Sequence, residues 1–350
     1  MNILFRADAN SNIGQGHVMR MLSLADAMMA FDNRCFFVCA LDTNAQAILE
    51  RGYEVHTLST DYDHMPDELP ELTKIIHELH CKIVIVDSYN ADTHYLKALK
   101  KVRPVVYMED IASFTRPVDV LVNYNINASE WEYETLYKYE KQPVFIIGPE
   151  YAPLRKDFAN LSERLLKEEV RKVAVTFGGA DPMHLAFGFL KTLLESKQEV
   201  ASKEFIFILG AMNPDIDEIK ALASGKENIK IQVNVRSMKQ LFMECDLAVS
   251  AAGSTQYEIC ACQVPCVNFS MADNQVPGGE EFGARGIFSY AGDARTTEDF
   301  FNVIIDKLQS LSDDYERRVR MVMMQHHFVD GNGAKRLAEK ILELKELKRI

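Results

Sequence analysis

An α/β fold of two Rossmann-like domains, each built on a parallel sheet, is what this sequence predicts, and three observations predict it. Short β-rich runs alternate with longer segments whose apolar residues recur at helical spacing. The alternation lapses near the middle of the chain and then resumes, which makes two such sets. Three glycine-rich turns stand where a strand gives way to a helix, the place where open parallel sheets bind ligands. Length agrees, since 350 residues at about 150 per domain make two domains.

In the first set, Asn2–Arg6, Arg34–Ala40, Ile83–Asp87, Val105–Met108 and Val120–Asn123 read as strands, and Val18–Phe31, Leu72–Leu79 and Asp92–Lys101 as helices. The stretch from Asn125 to Lys141 is polar and aromatic, and Pro143, Gly148, Pro149 and Pro153 punctuate the segment after it. The second set has strand candidates Val173–Phe177, Phe205–Leu209, Ile229–Val233, Leu247–Ser250, Cys266–Phe269 and Phe288–Tyr290. Helical patterns continue through Phe300–Leu311, Asp314–His326 and Ala334–Leu347. We therefore expect an N-terminal domain over residues 1–150, a linker over 151–164, and a C-terminal domain over 165–350, the two domains facing each other across a cleft.

Composition narrows the function classes. With 39 basic and 51 acidic side chains the net charge is −12, which argues against nucleic acid or anionic membrane as a partner. No apolar run of about 18 residues spans a bilayer, and the N-terminus meets Asp8 too soon for a signal peptide. Seven cysteines, an odd number, fit a reducing compartment. A cytoplasmic protein is expected.

The first turn, Ile13-Gly14-Gln15-Gly16-His17, lacks the third glycine of a dinucleotide fingerprint, with Met19 in its place. Gly14 and Gly16 let backbone amides approach a ligand, or simply form a tight turn. His17, with an ordinary imidazole pKa of about 6.5, suits a general base, or else caps the loop through a backbone hydrogen bond. In the second turn, Asp181 and Pro182 are explained by a helix start, with Asp181 as cap and Pro182 in the first helical position. Gly178 and Gly179 are not so explained, and a diphosphate would account for them. The third turn, Gly253-Ser254-Thr255, opens a helix carrying Glu258. Helix amides and hydroxyls there suit phosphate, and Glu258 suits the two hydroxyls of a ribose or is a solvated first-turn carboxylate. Cys260, Cys262 and Cys266 do not have zinc spacing and read as small core residues. His326-His327 belongs to a helix end.

The opening stretch Ile3-Leu4-Phe5-Arg6-Ala7-Asp8, Ile13 through Arg20, and Leu24-Ala25 resembles the UDP-2,4-diacetamido-2,4,6-trideoxy-β-L-altropyranose hydrolases of pseudaminic acid biosynthesis. Asp87-Ser88-Tyr89, Glu109-Asp110, Gly148, Tyr151 through Phe158, Phe177 through Asp181, Ser250 through Thr255, Glu258, Asn274-Gln275 and Asp330 through Ala334 extend the resemblance over nearly the whole chain. It implies a GT-B architecture, with UDP on the C-terminal domain and the sugar on the N-terminal one. It also implies a catalytic role for His17, which activates water, and for Asn274. Gly14, Gly16, Arg155, Gly178, Gly179, Gly253, Ser254, Thr255, Glu258 and Gln275 would hold the substrate. Neither metal nor cofactor is implied. Lys141–Pro149 and Met271–Gly279 depart from the family's pattern.

The expected reaction is hydrolysis of a UDP-linked deoxy-diacetamido sugar to free sugar plus UDP, with inversion at the anomeric carbon. The alternatives are a glycosyltransferase acting on a non-water acceptor in surface polysaccharide synthesis, and a non-catalytic nucleotide-sugar-binding subunit. A lipid acceptor calls for a basic amphipathic patch. Residues 40–100 instead carry Asp61, Asp63, Asp67, Glu68 and Glu71, which are expected at the surface. The partner is a UDP-sugar, and the sequence leaves the oligomeric state open.

Overall fold

The structure, a computed structural model, describes residues 1–10, 13–111 and 114–344. The first sheet is formed by β1 (Asn2–Ala7), β2 (Arg34–Cys39), β3 (Glu54–Thr57), β4 (Ile83–Asp87), β5 (Val105–Met108), β6 (Val120–Asn123) and β7 (Val144–Ile147). The second is formed by β8 (Lys172–Thr176), β9 (Glu204–Leu209), β10 (Ile229–Val233), β11 (Leu247–Ala251), β12 (Cys266–Ser270) and β13 (Ser289–Asp293). Every strand pair is parallel. The orders are β3-β2-β1-β4-β5-β6-β7 and β10-β9-β8-β11-β12-β13. Strand order therefore reverses direction between β1 and β4 in one sheet and between β8 and β11 in the other.

The helices α1 (Gly16–Met29), α2 (Gln46–Glu50), α3 (Met65–Glu78), α4 (Thr93–Val102) and α5 (Tyr133–Leu136) accompany the first sheet. With the second run α6 (Leu185–Glu195), α7 (Ile216–Ala223), α8 (Met238–Glu244), α9 (Thr255–Ala261), α10 (Val276–Ala284), α11 (Phe300–Asp313) and α12 (Tyr315–Phe328). Last comes α13 (Gly333–Glu343). Central strands are buried on both faces, so they read as unbroken apolar runs. Ile83–Val86 and Leu247–Val249 are essentially inaccessible. The edge strands β3 and β7 escaped the sequence pattern. Glu54-Val55-His56-Thr57 is half-polar because one side has no neighbour, and β7 follows directly on Pro143.

The chain forms two compact units. One comprises Met1–Lys156 together with the segment from Asn332, and the other Asp157–Gly331. Two features differ from the expected division at 150 and 164. The segment after Asp157 docks on the second unit: Arg164 donates to the carbonyls of Phe242 and Cys262 at 3.2 and 3.4 Å and also to that of Cys245, and its backbone N–H reaches Gln263. At the other end α13 belongs to the first unit, where Arg336 donates to the Glu150 carbonyl. Periodicity exposes the apolar face of α13 (Leu337, Ala338, Ile341) but does not say what covers it. The expected continuation of this helix to Leu347 falls outside the described residues.

One expectation about the surface is corrected. Glu68 is fully buried, because it falls on the same face of α3 as Met65, Leu72 and Ile76. It accepts from Arg6 Nε and Nη2 at 2.8 and 2.7 Å and from the Tyr95 hydroxyl at 2.7 Å. Arg6 Nη1 donates to Asp8 at 2.6 Å. An arginine inside an apolar strand needs such counter-charges, since a buried charge left unpaired is strongly destabilising.

Candidate functional site

In open parallel sheets ligands bind beyond the carboxyl ends of strands, where the strand order reverses. In the first unit that point lies between β1 and β4, whose last residues, Ala7 and Asp87, pair in register. The loop leaving β1 turns back through a Gly14 N–H to Asn10 carbonyl bond of 2.9 Å, and α1 begins at Gly16. This brings His17, in the first turn of α1, against Asp87 at the end of β4.

The contact is specific. His17 Nδ1 lies 2.7 Å from Asp87 Oδ1. A carboxylate only accepts, so the proton of the neutral ring sits on Nδ1 and Nε2 keeps its lone pair. Arg20 Nη2 also lies 3.2 Å from Nδ1, but a guanidinium only donates, so against a protonated Nδ1 this is a contact and not a hydrogen bond. One helical turn beyond His17, Arg20 grips Asp87 side-on, with Nε to Oδ2 and Nη2 to Oδ1 both at 2.5 Å. Arg20 Nη2 reaches Asp110 Oδ2 at 2.8 Å, and its Nη1 reaches the Tyr124 hydroxyl at 2.9 Å. Tyr89 packs edge-on against the imidazole, centroids 4.7 Å apart, and donates to Asp110 at 3.1 Å. Burial by itself would raise the Asp87 pKa. Arg20, and after it His17, outweigh burial and hold the carboxyl well below the usual range. Burial pushes the Tyr89 hydroxyl up, so it stays protonated.

The second unit repeats the geometry around β8 and β11, with Thr176 and Ser250 in register. Gly178 and Gly179 follow β8, and Gly178 has φ +89°, a conformation that favours glycine. The turn lies against the end of β9: a Cβ on Gly210 would stand 2.0 Å from the Gly179 carbonyl oxygen. Gly210→Ala is therefore expected to destabilise the protein by about 1–3 kcal/mol through overpacking, measured by denaturant unfolding. An unchanged midpoint would show that the turn yields freely.

Asp181 caps α6 differently from expectation. The helix starts at Leu185, not at Pro182, and the carboxylate reaches across to the N–H groups of Leu185 and Ala186 at 3.0 and 2.8 Å. The reason is the left-handed backbone at both Asp181 and His184, which delays the helix and folds the cap over its end.

After β11, Gly253 and Ser254 lead into α9, with Ser254 at the cap, Thr255 at the first helical position and Glu258 half-buried one turn in. After β12, Asp273–Gln275 forms a single 3-10 turn that exposes Asn274, while Gln275 Oε1 accepts from the Met271 N–H at 3.0 Å. Gln275 thus braces its own loop. Arg155 is half-buried near the end of the first unit's main segment.

The expected site residues therefore fall into two groups. Gly14, Gly16, His17 and Arg155 belong to the first unit, and Gly178, Gly179, Gly253, Ser254, Thr255, Glu258, Asn274 and Gln275 to the second. Sequence reasoning assigned no role to Asp87, Arg20, Asp110 and Tyr89, the partners of His17. A signal for the two carboxylates existed, since Asp87 and Glu109-Asp110 end or follow apolar strands at the carboxyl edge. Cys260, Cys262 and Cys266 are buried and unbridged, and burial pushes the Cys262 thiol up to about 12. Among the described residues no group of His, Cys, Asp or Glu is arranged to hold a metal ion, and no helix is long and apolar enough to cross a membrane.

No protein-family model matches the chain. It is 23% identical to the spore coat polysaccharide biosynthesis protein SpsG of Bacillus subtilis over 99% of both chains. It is 25% identical to the UDP-2,4-diacetamido-2,4,6-trideoxy-β-L-altropyranose hydrolase of Campylobacter jejuni, over 73% of this chain and 86% of that one. An uncharacterized protein of Methanocaldococcus jannaschii is 26% identical over 76% of this chain, a match that spans only 55% of the archaeal protein. The resemblance drawn from the motifs is thus borne out. Among solved structures, Acinetobacter baumannii MurG superposes with a TM-score of 0.69 at 14% identity, covering 98% of this chain and all of the other. The calicheamicin glycosyltransferase CalG4 superposes with a TM-score of 0.66 at 14% identity, over 100% and 98% of the two chains. The fold is GT-B, with two parallel sheets as the sequence predicts.

Proposed function

We propose that the protein hydrolyses a UDP-linked deoxy-diacetamido sugar to free sugar and UDP, in the synthesis of a nonulosonic acid of the pseudaminic type. The observation that carries this reading is the His17–Asp87 pair at the switch point of the first sheet. In the reaction proposed, Nε2 of His17 takes a proton from water as the water oxygen attacks the anomeric carbon. The bond from that carbon to the diphosphate oxygen breaks, and UDP leaves with the electron pair. Attack from the face opposite the leaving group inverts the centre. Asp87 keeps the ring in the competent tautomer and offsets the charge of the imidazolium that forms, while Arg20 keeps Asp87 ionised.

The second unit is assigned the nucleotide. Amides and hydroxyls at Gly178, Gly179, Gly253, Ser254 and Thr255 would stabilise the departing diphosphate. Glu258 would accept from the ribose diol, and Asn274 would contact the reacting sugar. The name of the Campylobacter relative supports hydrolysis. Glu258→Ala is expected to weaken UDP binding by about 1.5–3 kcal/mol, the range for hydrogen bonds to a charged group. Calorimetry on the folded variant checks this, and unchanged affinity would remove Glu258 from the site.

A second reading, transfer of the sugar to an acceptor other than water, draws on the full-length match to the spore coat protein and on the glycosyltransferase relatives of the fold. Incubation with a panel of UDP-sugars and no acceptor separates the two. Release of UDP with free sugar, identified by mass spectrometry, supports hydrolysis. UDP release only after an acceptor is added supports transfer.

A further inference from the structure

The amino edge of the first sheet carries a feature that the reaction above does not use. Lys100–Pro104 leads into β5, Val118 and Asp119 into β6, and Lys141 and Gln142 toward β7, and these segments line one cavity of about 550 Å³. A second cavity of about 330 Å³ adds Lys97 and shares Lys100, Lys101 and Lys141. All strands here run parallel, so these residues stand at the edge opposite His17 and Asp87. Four strand residues at about 3.3 Å each separate the two edges by roughly 13 Å. The two sites are distinct.

The local charge runs against that of the chain. Lys97, Lys100, Lys101, Arg103 and Lys141 face Asp119 and Glu140, in a protein whose net charge is −12. Lys100 is anchored, with Nζ 3.2 Å from Asp119 and donating to the Val118 carbonyl at 2.6 Å. Arg103 is held by the carbonyls of Cys81 and Val102 at 2.7 and 2.6 Å. Among the described residues, no ion pair involves Lys97, Lys101 or Lys141. Lys97 and Lys101 are a like-charge pair one helical turn apart, unfavourable in itself. Lys141 converges on them from a different segment. Lys100 is compensated by Asp119 and Arg103 is held by carbonyls, so Lys97, Lys101 and Lys141, against the single further carboxylate of Glu140, leave the concavity with an excess of positive charge suited to a multiply charged anion.

We propose that this edge binds a phosphate-bearing anion, held by Lys97, Lys101 and Lys141 over a floor set by Lys100 and Arg103. The source is either a free phosphate compound or the headgroup of an anionic lipid. Two probes distinguish them, each used with UDP saturating the nucleotide site of the second unit: inorganic triphosphate in calorimetry, and sedimentation with vesicles of equal parts phosphatidylcholine and phosphatidylglycerol. The full chain and a K97Q/K101Q/K141Q variant are compared, with K226Q/K230Q as a lysine-to-glutamine control in the second unit. We expect at least one probe to bind the parent chain, with affinity falling about tenfold or more in the triple variant and unchanged in the control. Higher salt should weaken binding of the parent more than of the triple variant. Binding of triphosphate alone identifies a soluble ligand, and binding of vesicles a membrane one. Absence of binding to both probes, or equal binding by parent and triple variant, would overturn the proposal. The three lysines lie away from His17, so UDP affinity serves as the check that the variant is folded.

Discussion

Replacing His17 with asparagine is expected to lower turnover of the UDP-sugar by about 10²–10⁴, the usual contribution of a positioned base, and to leave UDP affinity nearly unchanged. Asparagine keeps a polar side chain at the start of α1 and can still bond Asp87, but it has no nitrogen that accepts a proton near neutrality. The nucleotide is assigned to the other unit, so binding and chemistry separate in this variant. Steady-state kinetics and calorimetry on the same preparation measure both. Turnover near the parent rate in a folded variant would remove His17 from the reaction. Loss of UDP binding together with turnover would show that the loop holds nucleotide.

Asp87→Asn is expected to lower turnover by a similar factor, roughly 10²–10⁴, and also to affect stability. An amide can offer either its oxygen or its NH₂ to Nδ1, so the ring is no longer held with its lone pair on Nε2. Arg20 simultaneously loses a buried counter-charge. Breaking a buried pair costs about 3–5 kcal/mol, and the remaining bond from Arg20 to Asp110 at 2.8 Å moderates that loss. The pH dependence has a definite sign. The Asp87 carboxyl titrates lower in the folded protein than in the unfolded chain, where about 3.9 applies. Its contribution is complete above that value and is lost as pH falls through the folded-state value, because protons bind the unfolded chain first. Denaturant midpoints measured from pH 6 downward should therefore fall more steeply in the parent than in the variant. Parallel curves would contradict the ionic role of Asp87.

Much of the architecture was legible before the structure. Buried parallel strands must be apolar on both faces, so β4, β5 and β6 carry their boundaries in the sequence. Glycines at strand-to-helix turns are a local requirement of backbone conformation and approach, and they marked both switch points. His17 was visible because a titratable side chain follows such a turn. The edge strand β3 was not legible, since half-polar strands have no distinctive period over four residues.

Tertiary structure alone decided what those residues touch. His17 and Asp87 are separated by 70 positions and meet only because β1 and β4 pair in register. Glu68 reads as one more surface acid until the fold sets α3 beside Arg6 of β1. The apolar face of α13 is encoded in its own sequence, but its place in the first unit depends on where the chain returns after residue 331. The physical reason is common to all three. Periodicity and turn chemistry act over a few residues and are written locally, whereas ion pairing and helix docking are set by which distant surfaces the folded chain brings within a few ångströms.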